Sequence, residues 1–148
     1  FAKKKLADKE IRHLLKSIQA DSIVDGSTEG IDLIQSTEYG GKELSGGQFQ
    51  KIAIARTLSR NAQFIVLDEP TSSIDALSEE AIFKTLHALP ENVTMLFISH
   101  RFTTIRNAEH IIVLNDGTIA EQGTHEQLMK GKHLYAKMYK TQVLGTDN

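Results

Sequence analysis

Three apolar runs of four residues, FIVL at 64–67, MLFI at 95–98 and IIVL at 111–114, set the terms for how this chain can fold. Each stops abruptly at polar or turn-forming residues: Asp68-Glu69-Pro70, Ser99-His100 and Asn115-Asp116-Gly117. All are far shorter than the roughly 20 residues of a membrane-spanning helix. Short apolar runs bounded by turn signals read as strands, and the lack of interleaved polar residues predicts burial on both faces. Ser73 to Ala88 lies between the first two, with Ile82, Leu86 and Leu89 at helical spacing. A short helix around 102–107 separates the second run from the third. Strands alternating with helices predict an α/β fold, with a mostly parallel sheet flanked by helices. NDGT at 115–118 is a turn signal, after which TIAEQG returns as a hairpin partner.

The 148 residues suit one domain, and 40% hydrophobic with 24% charged residues is an ordinary globular composition. A net charge of -2 gives no general attraction to nucleic acid or anionic lipid. The chain has no cysteine, which excludes disulfides, thiolate metal sites and a cysteine nucleophile.

Ahead of the strands, Ile11, Leu14, Leu15 and Ile18 fall at i, i+3, i+4 and i+7, predicting an amphipathic helix over 8–20. Residues 25–43 are rich in Gly, Ser, Thr and acids and read as a loop with one short extended piece. Ser45-Gly46-Gly47-Gln48 carries the Ser-x-x-Gln capping pattern and opens a helix to about Ser59. Thr124-His125-Glu126-Gln127 repeats that pattern and opens a helix to about Val143.

Three places concentrate chemistry. The first is the glycine pair, which costs helix stability at Gly46 and Gly47 yet leaves the backbone bare at a helix N-terminus. That end presents unpaired N–H groups and a positive dipole, which suit an anion. Ser45 adds a hydroxyl. The second is Asp68-Glu69, carried to the end of a strand, where ligands bind in open α/β sheets. An aspartate there can hold Mg²⁺ directly or through water, and a glutamate can deprotonate an attacking water. Adjacent strand residues point in opposite directions, so the pair can divide these tasks. The third is His100, which also follows a strand and can hydrogen-bond a phosphate oxygen or a water. Each place alone is equally compatible with structure: a capped helix, a solvated loop, a backbone-satisfied histidine. The other five histidines are assigned to structure, and His125-Glu126 does not continue as HExxH because residue 129 is methionine.

Taken together, in order and spacing, these segments resemble the ATP-binding cassette (ABC) ATPases. Leu44-Ser45-Gly46-Gly47-Gln48 matches that family's signature, and Phe64–Glu69 resembles its Walker B segment. Ser73-Ile74-Asp75 resembles its D-loop, with isoleucine where leucine is more usual, and His100 matches its switch histidine. The stretch from Ile98 to Met129 looks like the tail of exporter-type nucleotide-binding domains. The resemblance implies a P-loop NTPase-like fold, with residues 1–60 as the end of the helical subdomain and the signature helix, and 61–148 as the core with the C-terminal helices. It implies ATP and Mg²⁺ as ligands, a second nucleotide-binding domain and a transmembrane domain as partners, no nucleic acid, and a place at the cytoplasmic face of a membrane. Ser45, Gly46, Gly47 and Gln48 would contact the γ-phosphate of ATP held by the partner domain. Asp68 would serve Mg²⁺ and Glu69 would be the general base. His100 would bind the γ-phosphate and the attacking water, and Asp75 would cross the dimer interface.

The chain departs from the family pattern in one respect. It contains no Gly-x-x-x-x-Gly-Lys-Ser/Thr; the nearest candidate, Gly41-Lys42, is followed by Glu43. The opening reads as mid-domain, and the expectation is a C-terminal portion of a nucleotide-binding domain, inactive alone and marginally stable or self-associating. Lys42 and Lys51 remain available for phosphate or partner contacts, with Lys51 where the family often has arginine. Two rivals stand beside the exporter reading. One is a non-transport ABC ATPase of DNA repair or chromosome maintenance, against which the chain lacks a basic stripe. The other is a binding or dimerisation module that never hydrolyses nucleotide.

Overall fold

The computed structural model describes residues 6–25, 30–32 and 44–145. The chain divides into two compact units, Phe1–Leu96 and Phe97–Asn148.

The first unit opens with helix α1 (Asp8–Ser17), which buries Leu15 and turns Ile11 and Leu14 toward the same side. The apolar stripe continues to Ile18, as its spacing predicts, but the helix stops before residue 20. Gln19 takes a left-handed conformation (φ 53°), and the N–H groups of Gln19 and Ala20 close back on the carbonyls of Lys16 and Leu15. That is a Schellman-type stop, here without the usual glycine. Helix α2 (Asp21–Asp25) follows, and an Arg12–Asp25 ion pair at 2.8 Å bridges the two helices. Of the loop expected over 25–43, Asp25 instead ends α2 and residues 30–32 form a 3-10 turn; the rest lies outside the described residues.

Helix α3 (Gly46–Leu58) starts at Ser45 with the predicted reciprocal cap: the Gln48 N–H donates to Ser45 Oγ, and the Ser45 N–H donates to Gln48 Oε1. Strand β1 (Phe64–Asp68) leads through a tight turn to α4 (Ala76–His87), whose N-cap is Asp75. Strand β2 (Thr94–Ile98) pairs with β1. Neighbouring strands joined through a helix of this length are the connection that parallel pairs use. Helix α1 lies against α3 and α4, and Thr85 Oγ1 on α4 donates to the Ser17 carbonyl at 2.9 Å. Ile18, Ile23, Ile52, Ile65, Leu67, Ile82 and Leu86 are buried. The expectation of burial on both strand faces fails here. On β1, Ile65 and Leu67 are buried, while Phe64 and Val66 are 59% and 51% exposed, so one face is covered within the chain. Met95, Leu96 and Ile98 of β2 are exposed as well.

The second unit holds a short helix α5 (Phe102–Ile105), a hairpin and two further helices. Strands β3 (Ile111–Asn115) and β4 (Thr118–Gly123) pair antiparallel across the two-residue turn Asp116-Gly117. Both turn residues have positive φ, 49° and 75°, which is the type I′ geometry the Asp-Gly pair favours. A register shift falls after Val113, where Ala120 is the extra residue of a bulge. The long helix predicted to Val143 is in fact two, α6 (His125–Gly131) and α7 (Leu134–Tyr139), followed by a π-helical turn over Lys140–Leu144. The break is at Lys132, whose left-handed φ of 55° ends α6. Phe102, Ile111, Leu128 and Tyr135 form the buried cluster, with Ile105, Val113, Met129 and Tyr139 packed on it.

Candidate functional site

The first unit brings the N-terminus of α3 against the turn that leaves β1, and the glycine pair explains how. A Cβ at Gly47 would stand 2.5 Å from the Ser73 carbonyl oxygen, an overlap no side chain tolerates. A Cβ at Gly46 would only touch the Ser73 side chain, at 3.7 Å. Gly47 is therefore fixed by close approach of two backbones, beyond any need for access by an anion, whereas Gly46 stays exposed.

Asp68 ends β1 and is exposed. Glu69 was expected to continue the strand and point the opposite way. Instead it adopts a left-handed backbone, φ 44°, an uncommon state for a residue other than glycine. The chain leaves the strand by this backbone reversal, with Pro70 immediately after it, so strand alternation does not set the direction of Glu69. The turn is then anchored from α4, where buried Thr71 donates through Oγ1 to buried Glu79 Oε1 at 2.9 Å. The Ser72 N–H closes the turn onto the Glu69 carbonyl at 3.3 Å.

Asp75 caps α4: the Ser78 N–H donates to its Oδ1 at 2.9 Å. The Ser78 N–H, then the Ser78 hydroxyl, hold its carboxyl below the ordinary value of 3.8, and Lys51 adds a weaker pull. The carboxyl remains largely exposed, with Oδ2 3.9 Å from Lys51 Nζ.

Lys51 is not available to phosphate as the sequence suggests. Its side chain is only 14% exposed, and Nζ donates to Ser78 Oγ at 2.6 Å and to the Gln19 carbonyl at 3.0 Å. It is a structural cation joining the left-handed stop of α1 to the start of α4. Lys42 lies outside the described residues.

Sequence reasoning missed Gln50. Its Nε2 donates to Ser72 Oγ at 2.7 Å and reaches the Glu69 carbonyl at 3.5 Å, while its Oε1 accepts from the Ser73 N–H at 3.0 Å. The available signal was a second glutamine two residues past Gln48, at the edge of an otherwise apolar and basic stretch. Ser45, Gly46, Gly47, Gln48, Asp68, Glu69 and Asp75 thus all lie on α3, β1, the following turn and the α4 cap. His100 belongs to the second unit, on the residues that follow β2; beside it the Arg101 N–H donates to Ser99 Oγ at 3.0 Å. Among the described residues no group of three or more His, Asp or Glu side chains is arranged to hold a metal. A lone exposed Asp68 nevertheless suits Mg²⁺, which is commonly bound by one or two carboxylates together with phosphates and waters.

The ABC transporter family model matches residues 4–72, which includes the α3 start, β1 and the first residues of the turn. A solved bacterial Atm1-family ABC exporter with ATP bound matches 99% of the chain with a TM-score of 0.85 and 31% identity. The chain is similar to ABC transporter proteins over nearly its whole length. Its ABC relatives include the multidrug resistance-like ATP-binding protein MdlB of Buchnera aphidicola, 41% identical over 95% of the chain. The ATP-dependent lipid A-core flippase of Neisseria meningitidis is 39% identical over 93%, and the ABC-type oligopeptide transporter ABCB9 of Mus musculus is 45% identical over 76%. The chain spans about a quarter of the two bacterial relatives and of the solved exporter, at 24%, 22% and 25% of their lengths, and 15% of the mouse protein.

Proposed function

We propose that this chain supplies the signature wall and the hydrolytic residues of a composite ATP site that drives an exporter-like ABC transporter. The observation that carries the proposal is the joining of the Ser45–Gly47 helix start to the Asp68–Asp75 turn, in a fold matching an ATP-bound exporter over 99% of the chain. Phosphoryl transfer depends on positioning and electrostatics, and both segments present groups suited to that work.

Ser45, Gly46, Gly47 and Gln48 face the γ-phosphate of a nucleotide held by a second nucleotide-binding domain, with the α3 dipole favouring the negative charge. Asp68 holds Mg²⁺, which supplies charge neutralisation at the phosphates when bound. Glu69 accepts the proton of the attacking water, and His100 hydrogen-bonds the γ-phosphate and that water. Asp75 crosses to the partner domain while capping α4. These 148 residues hold no P-loop, so the grip on the triphosphate comes from other polypeptide. A transmembrane domain receives the work at the cytoplasmic face of the membrane.

Magnesium-dependent ATPase activity is measured with these residues carried in a complete nucleotide-binding domain. Glu69→Gln is expected to abolish turnover by at least about a hundredfold while ATP binding persists. Equal turnover by wild type and Glu69→Gln sinks the assignment.

A further inference from the structure

We propose that Gln50 is a positioning residue that makes the signature turn and the base-bearing turn one mechanical body. The inference rests on the roles given above to Ser45–Gly47 and Glu69, and assigns a residue those roles do not include.

Both ends of the Gln50 carboxamide are engaged on one short segment. Oε1 accepts from the Ser73 N–H at 3.0 Å, and Nε2 donates to Ser72 Oγ at 2.7 Å, with the Glu69 carbonyl at 3.5 Å. The side chain sits one helical turn after the Gly46-Gly47 start, and Gly47 packs against the carbonyl of Ser73, the residue whose N–H Gln50 receives. The contact surface is therefore two-point: a backbone-to-backbone approach at Gly47 and an amide clamp at Gln50. Glu69 sits at the head of the clamped segment in a left-handed backbone state. Such a state persists only where surrounding contacts over-determine it. The Ser72 N–H bond to the Glu69 carbonyl ties the clamped residues directly to that reversal. A displacement of α3 is thus carried into the position of Glu69, and the reverse. In the composite arrangement the α3 start faces the partner's nucleotide and Glu69 faces its own. The amide then links occupancy of one site to alignment of the base in the other.

The first test is amide hydrogen exchange on the 148-residue chain itself. Gln50→Ala is expected to raise exchange at Ser73 by about tenfold or more, with α3 protection near Ile54 unchanged. The second is steady-state ATPase activity in a complete nucleotide-binding domain carrying these residues. Gln50→Ala should lower kcat by roughly ten- to a hundredfold, leave KM for ATP within about twofold, and reduce the Hill coefficient for ATP toward one. Gln50→Glu keeps the acceptor for the Ser73 N–H and can accept from the Ser72 hydroxyl, so it should recover part of kcat. Ser72→Ala, which removes the nearer of the two Nε2 acceptors without touching α3, should give a smaller fall of the same kind and serves if Gln50→Ala does not fold. In a Glu69→Gln background, Gln50→Ala should add no further loss. Unchanged Ser73 exchange together with full kcat in Gln50→Ala overturns the proposal. Full turnover by Glu69→Gln would instead remove the underlying assignment of the base, so the two failures are separable.

Discussion

In the first unit the Asp68–Asp75 segment is held by individual polar contacts: Gln50 from α3, Glu79 and Ser78 from α4, and one backbone approach at Gly47. In the second unit the hairpin and the C-terminal helices close over apolar and aromatic side chains. Phe102 meets Tyr135 and Tyr139 edge-on at 5.3 and 5.8 Å, and Tyr135 also shares a 2.8 Å hydrogen bond with His125 Nδ1. Polar contacts are directional and contribute little net stability each, so they fix geometry. Burial of apolar area is non-directional and its contribution is large, so it fixes stability. Substitutions in the first region should therefore alter turnover more than melting, and those in the second should do the reverse.

After loss of the base itself, Gly47→Ala should be the most severe lesion for activity. The added methyl overlaps the Ser73 carbonyl, and relief requires α3 or the turn to move. A fall of about a hundredfold in ATP turnover is expected, with helix content by circular dichroism retained. Gly46→Ala, whose Cβ meets only the Ser73 side chain, should be far milder and so sharpens the contrast.

Tyr135→Ala should be the largest effect on stability, about 3–5 kcal/mol, read by denaturant unfolding with tyrosine fluorescence. Tyr135→Phe should cost only about 1 kcal/mol, for the hydrogen bond to His125. Burial raises the Tyr135 hydroxyl above its ordinary value of 10.0. The folded state therefore favours the neutral phenol. Its contribution is complete below the unfolded value and is lost as pH climbs through the higher folded one. Tyr135→Phe should flatten that alkaline loss.

Thr124→Ala removes a cap from α6 and should cost about 1 kcal/mol without changing turnover, checked by parallel melts and ATPase assays. The smallest effect is acidic. Because the Ser78 bonds depress the Asp75 carboxyl, its contribution is present above 3.8 and is lost as pH falls through the lower folded value. Asp75→Asn should remove that acid limb from the stability profile.

Local chemistry was legible in the sequence. Ser45 and Thr124 each form the predicted cap, and Asp116-Gly117 forms the predicted turn, because these motifs are satisfied by residues three or fewer positions apart. Strand burial was not. FIVL is apolar at every position, so it reads the same whether one face or two are covered, and here Phe64 and Val66 remain exposed. Single-residue reversals at Gln19, Glu69 and Lys132 were missed for a related reason: none is glycine, and each is imposed by contacts or helix ends that composition does not encode. Lys51 reads from the sequence as available to phosphate or a partner because its structural partners, Gln19 and Ser78, are distant in sequence. Gln50 was overlooked on the same grounds, its partners lying 19 to 23 residues away.

The division of labour between the α3 start and Glu69 is tested most directly by mixed dimers of complete nucleotide-binding domains carrying this sequence. When one copy bears Gly46→Asp, which sets a carboxylate against the phosphate at a position whose Cβ meets only the Ser73 side chain, and the other bears Glu69→Gln, one intact pairing of signature and base survives, and about half of wild-type ATP turnover is expected. When a single copy bears both substitutions beside a wild-type partner, neither pairing is intact and turnover should vanish. The opposite pattern, activity retained by the doubly substituted pairing and lost by the split one, would contradict the composite site.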